Sequence, residues 1–110
     1  MAGRTLFNGT YRGELPRAAS DTRFAAWLLD SGCRVSKPLG SFAISLSFGT
    51  DRINLGDIAT GPVKAVIDNL YPIIGGAPGG PEDWRINRLF VRKGITRLPE
   101  DVVDLGVCSL

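Results

Sequence analysis

From Ser41 to Phe48 the chain alternates without a break, with Phe42, Ile44, Leu46 and Phe48 on one parity and Ser41, Ala43, Ser45 and Ser47 on the other. A period of two is the mark of a β-strand with one apolar face. Four large side chains on that face demand a covering layer, and the backbone demands neighbouring strands, so the chain is committed to a sheet with other elements packed on it.

Two helices are available as cover. Ser20 or Asp21 can cap a first turn, Phe24, Trp27 and Leu28 with the small Ala25 form one stripe, and Gly32 follows as a stop, which predicts a helix over 21–31. Gly61-Pro62 then opens a second helix, with Pro in the first turn where its missing N–H is harmless. Val63, Val66, Ile67 and Leu70 recur at helical spacing, Lys64 and Asp68 lie one turn apart on the polar side, and Pro72 ends the helix near Tyr71.

The stretch from Gly49 to Asp57 reads as a loop, and Ile73–Pro81, IIGGAPGGP, as a Gly/Pro connector. Ile86–Lys93 and Val102–Cys108 read as two more strands forming an antiparallel pair, against a competing reading of Pro99–Leu105 as a helical turn. Residues 1–19 carry isolated Phe7 and Tyr11 without a period and are either irregular or a short edge strand; Arg4, Arg12 and Arg17 there are either an arm reaching DNA or a frayed terminus. The expectation is one domain over 1–110, of α/β (α+β) class: a small mixed β-sheet with two helices packed on it. A domain of 110 residues buries roughly 65% of its unfolded surface around one core. So thin a sheet leaves an edge or helix face that a homodimer would hide.

Composition narrows the function classes. With 44% hydrophobic and 22% charged residues the chain is globular in kind, and its apolar runs are too broken to span a membrane. The N-terminal residues hold no continuous apolar stretch of signal-peptide type, so the expected location is cytoplasmic. The absence of His removes Ser-His-Asp and Cys-His catalysis and most catalytic zinc sites. Cys33 and Cys108 fit no metal-ligand spacing and are read as reduced thiols. GGAPGG lacks the Lys-Ser/Thr ending of a phosphate loop, which rules out a Walker-type NTPase. A net charge of +2 is mild, but Arg85, Arg88, Arg92, Lys93 and Arg97 occur with no carboxylate between Trp84 and Pro99. That run is either a solvated strand face or a surface that tracks phosphates. Trp27 reads as core, and Trp84 as core edge or a stacking platform for a base.

Carboxylates bracket the second helix: Asp57 before it, Asp68 on it with Lys64, and Glu82-Asp83 beyond the connector. Either these are solvated charges, or they converge on Mg²⁺, which prefers oxygen ligands. Metal-generated hydroxide needs no His, so the composition is compatible with phosphodiester hydrolysis.

The order Asp57, Lys64-Ala65-x-x-Asp68-x-Leu70, a Gly-containing loop, and Glu82-Asp83-x-Arg85-Ile86 leading into Arg88–Gly94 resembles the RusA-type Holliday-junction resolvases, with Phe42–Phe48 in the place of the strand ahead of them. The resemblance covers residues 41–108. It implies a Mg²⁺-dependent, structure-selective endonuclease, a homodimer, acting on branched DNA. It further implies Asp57, Glu82 and Asp83 as metal ligands, Asp57, Lys64 and Asp83 as catalytic residues, and Arg85, Arg88, Arg92, Lys93 and Arg97 as the DNA-binding set. One departure stands out: where that family has two Asp separated by one residue, this chain has Gly56-Asp57-Ile58-Ala59-Thr60, with a single carboxylate. The loss leaves an alternative expectation, a non-catalytic DNA-binding or assembly protein of phage or mobile-element origin that keeps the fold.

Overall fold

The computed structural model describes residues 4–17, 22–31, 40–51, 53–77, 80–96 and 99–110. The expected caps Ser20, Asp21 and Gly32, together with Cys33 and Arg97, lie outside the described residues.

Strand β2 (Phe42–Gly49) is the alternating run, and it takes the centre of a four-stranded sheet. Its even-numbered residues are fully buried while Ala43, Ser45 and Ser47 face the other way. On one edge β6 (Val102–Ser109) pairs with it antiparallel, from Phe42 opposite Ser109 to Gly49 opposite Val102. On the other edge β5 (Ile86–Gly94) pairs with it parallel, from Ala43 opposite Arg88 to Gly49 opposite Gly94. β1 (Thr5–Arg12) completes the order β1-β6-β2-β5 by pairing antiparallel with β6.

The sheet is therefore mixed, as expected, but its last two strands are not partners: β2 lies between them. Alternation reports which face of a strand is buried and carries no information about its neighbour. The most apolar strand takes the position where both edges are paired, and the helical crossover after it delivers β5 in parallel. Of the two readings of the N-terminal segment, the edge strand is the observed one; of the two readings of 99–105, the strand. Arg12 thus belongs to the sheet, and Arg4, just ahead of β1, is held to its neighbour β6, with its N–H donating to the Ser109 hydroxyl.

Helix α1 (Thr22–Asp30) buries Phe24 and Leu28 and meets β1 through an aromatic cluster. Trp27 stands edge-on to Phe7 with ring centroids 5.7 Å apart, and Tyr11 edge-on to Phe24 at 5.3 Å. This is why Phe7 and Tyr11 are buried in a segment that has no visible period.

The second helix is three. α2 (Leu55–Thr60) lies in what the sequence suggests is loop. Asn54 caps it by accepting the Asp57 N–H at 2.8 Å, the Asx cap three residues ahead of an acid that marks a helix start. α3 (Pro62–Asp68) follows after Gly61 and buries Val63, Ala65 and Val66. α4 (Tyr71–Ile74) carries Pro72 in its first turn, so this proline also begins a helix. The Gly/Pro connector then folds into a minimal hairpin, β3 (Gly76–Ala77) with β4 (Gly80–Pro81). Gly76 sits at φ +110°, where a Cβ would stand 2.5 Å from the Gly80 carbonyl oxygen, so only glycine closes this turn.

All four helices cover the same face of the sheet: Phe24, Leu28, Ile58, Val63, Val66, Leu70, Ile73 and Ile74 join the inward residues of β2 and β6 in one core. Among the described residues, none of the helices contributes to the opposite face, whose small side chains stay exposed or half-buried. No helix among these residues is long and apolar enough to cross a membrane. The two faces predict different responses to truncation. Leu46→Ala, on the buried side, is expected to lower unfolding free energy by about 2–5 kcal/mol, and Ser45→Ala, one residue away, by less than about 0.5 kcal/mol. Urea titration of the two variants reads the difference, and equal losses would contradict a one-sided core.

Candidate functional site

The candidate acids are carried by α2, α3 and the turn that follows β4. Asp57 is exposed in the first turn of α2, where its carboxylate accepts the Asn54 side-chain amide at 3.1 Å. Lys64 is exposed on α3, and its Nζ donates to Asp68 Oδ2 at 3.2 Å, one helical turn on. β4 packs beside α3 and so carries the Glu82-Asp83 segment next to the helix that bears Lys64. Asp83 is exposed at the start of a single 3₁₀ turn, Asp83–Arg85. Glu82 accepts from Arg85 Nη1 at 3.2 Å.

The structure thus packs α2 on α3 and β4 beside α3 but, among the described residues, does not aim three carboxylates at a common point. Among the described residues no three Asp, Glu or Cys side chains come together in a way that could hold a metal ion. A Mg²⁺ site needs oxygens converging at about 2.1 Å in near-octahedral array. The Asp57 carboxylate instead accepts from the Asn54 amide and Glu82 pairs with Arg85, and with no convergence among the described residues Asp57, Glu82 and Asp83 do not fit a three-carboxylate Mg²⁺ centre.

The four described basic residues of the set separate into different roles. Arg85 is a strut. Its Nε donates to the Gly40 carbonyl at 2.9 Å and its Nη1 to the Ile74 carbonyl at 2.9 Å, while the guanidinium lies over the Phe42 ring, 4.7 Å from its centroid. Only 17% of the side chain is exposed, so its donors serve the fold. Lys93 is half-buried and pairs opposite Phe48, on the parity that faces the core. Arg88 and Arg92 pair opposite Ala43 and Ser47, and therefore point out of the open face, exposed and without an acidic partner among the described residues.

Between those two arginines, on the same face, stands Phe90, opposite Ser45 and 61% exposed. Read as a sequence, Phe90 is one apolar residue interleaved with the basic run; the signal for its real placement is the spacing Arg88-x-Phe90-x-Arg92, which puts all three on one side of a strand. Trp84, expected at the core edge, is 72% exposed on the 3₁₀ turn. A strand that pairs on one side only has fewer neighbours to cover such side chains. Phe90 and Arg88 border a shallow groove of about 370 Å³, with Ala43, Ser45, Gly106 and Cys108 also lining it.

No protein-family model matches this chain, and no curated protein matches it.

The division of labour among the arginines makes a prediction. Arg85→Ala removes charged donors from two backbone carbonyls and a ring contact, and is expected to cost about 2–4 kcal/mol of stability. Arg88→Ala should cost less than about 0.5 kcal/mol. Thermal and urea unfolding of the two variants test this, and a neutral Arg85→Ala would leave that residue available for a ligand.

Proposed function

We propose that this chain is a DNA-binding protein of RusA-like build that holds branched DNA without hydrolysing it. The observation carrying the reading is the contrast between its two polar surfaces: among the described residues no three carboxylates come together, with Asp57 and Glu82 held by Asn54 and Arg85, whereas Arg88 and Arg92 stand free of acidic partners among the described residues on an open sheet face. Unpaired guanidinium groups on a flat surface suit phosphate oxygens, which accept two N–H donors from one Arg. A net charge of +2 is weak for this purpose, and a homodimer would double the number of such side chains on one particle.

The second reading, a Mg²⁺-dependent endonuclease, rests on the packing of β4 beside α3, which sets Glu82-Asp83 near Lys64. Both are tested in one set of samples: a synthetic four-way junction, with and without Mg²⁺, resolved on native and denaturing gels. The expected result is a retarded junction that stays uncut. Cutting that disappears in Asp83→Asn would replace the proposal with the nuclease reading; absence of any retarded species would overturn both. Sedimentation of the free protein is expected to show the dimer, and a monomer at all concentrations would remove it.

A further inference from the structure

The groove on the open face of the sheet combines two kinds of chemistry. Residues 88, 90 and 92 project from the same side of β5, and with a rise of about 3.3 Å per residue the two arginines are set about 13 Å apart along the strand, with the Phe90 ring midway. A cation on either side of an exposed aromatic ring matches a polyanion that also offers flat apolar faces. Beside the ring the surface is level, because Ser45, Ala43 and Gly106 have almost no side chain to raise it, and Cys108 adds a soft apolar atom. Asp104 is the acid on this face, two strands away from Arg92 or about 10 Å, and its carboxylate accepts the Thr10 hydroxyl at 2.6 Å.

We infer that this groove binds a single-stranded polynucleotide, with one unpaired base stacked on Phe90 between phosphates held by Arg88 and Arg92. The inference rests on the DNA-binding reading and names its ligand more narrowly. Bases in a duplex are stacked on one another and present only their edges, so an exposed ring on a sheet face has nothing to stack on until a base is unpaired. Stacking on aromatic residues combined with cationic tracking of the backbone is the general means of holding single strands without regard to sequence. A purely apolar partner would leave both guanidinium groups opposite nothing of opposite charge.

Fluorescence anisotropy with labelled oligo(dT), oligo(rU) and a blunt DNA duplex tests it. Oligo(dT) or oligo(rU) is expected to bind more tightly than the duplex. Phe90→Ala should weaken single-strand binding by about tenfold to a hundredfold without altering its salt dependence, and Phe90→Tyr should restore it. The double variant Arg88→Ala, Arg92→Ala should flatten the plot of log affinity against log salt by about 1.4, from 0.7 for each single-strand phosphate released. Bound oligonucleotide should also slow thiol alkylation at Cys108, read at the peptide level so that Cys33 is scored separately. Duplex outcompeting both single strands, or a Phe90→Ala variant that binds like the native protein, would overturn the inference. If the four-way junction is still bound in that case, the DNA-binding reading survives and only the groove assignment falls; if nothing binds, both fall.

Discussion

Phe42, Ile44, Leu46 and Phe48 bring four large apolar side chains to one face of one strand, and each is almost completely removed from water. Burying a side chain of this size contributes about 1.5–3 kcal/mol, against a net stability of about 5–15 kcal/mol for a whole domain. No arrangement of this chain that leaves that face wet can be stable. The face also dictates the rest of the architecture, because the strand carrying it must be paired along both edges and covered from one side only. β6 and β5 supply the edges, α1 to α4 supply the cover, and the small residues of the opposite parity are left facing outwards.

Arg85 connects this core to the strand that carries Arg88, Phe90 and Arg92. Its guanidinium lies on the ring of Phe42, the first residue of β2, while its donors reach the carbonyls of Gly40 and Ile74. One side chain thus ties the start of the central strand to the end of α4 and to the 3₁₀ turn that launches β5. The register of β5 on β2 follows from that anchorage together with the irregularity between Phe42 and Ala43, and the register decides that residues 88, 90 and 92 point outwards. A shift of one residue would send the arginines towards the core and turn Val91, now packed against it, out to solvent. The residue that resembles a nucleic-acid ligand in the sequence is therefore the one that orients the others.

The acidic residues show the opposite relation between pattern and use. Their order along the chain resembles that of a metal-dependent nuclease with one Asp missing, and the fold does bring α2, α3 and β4, which carry or adjoin them, side by side. Side-chain partners then take the carboxylates one at a time: Asn54 for Asp57, Lys64 for Asp68, Arg85 for Glu82. An ion site depends on convergence within a few tenths of an ångström, a much stricter condition than adjacency of elements. Phosphate recognition by exposed arginines is more tolerant, since long side chains adjust to the ligand, and the proposed function asks only this of Arg88 and Arg92.

By itself the sequence determined what short-range physics decides. The alternation in β2 and β6, the helical stripe through Phe24 and Leu28, and the Gly61-Pro62 helix start depend only on residues within a turn or two of one another, and each appears where its periodicity places it. The cap at Asn54 was equally local, though a helix of only two turns shows too little period to announce itself. Tertiary structure alone decided the rest: that β2 lies between β5 and β6, that the N-terminal segment is a strand held by aromatic contacts to α1, that Arg85 is turned inwards while Arg88 and Arg92 are not, and that Phe90 is exposed between them. Strand partners and side-chain convergence depend on residues tens of positions apart, such as Ser41 with Leu110 or Arg4 with Ser109, and no local pattern encodes which distant backbone will supply the missing hydrogen bonds.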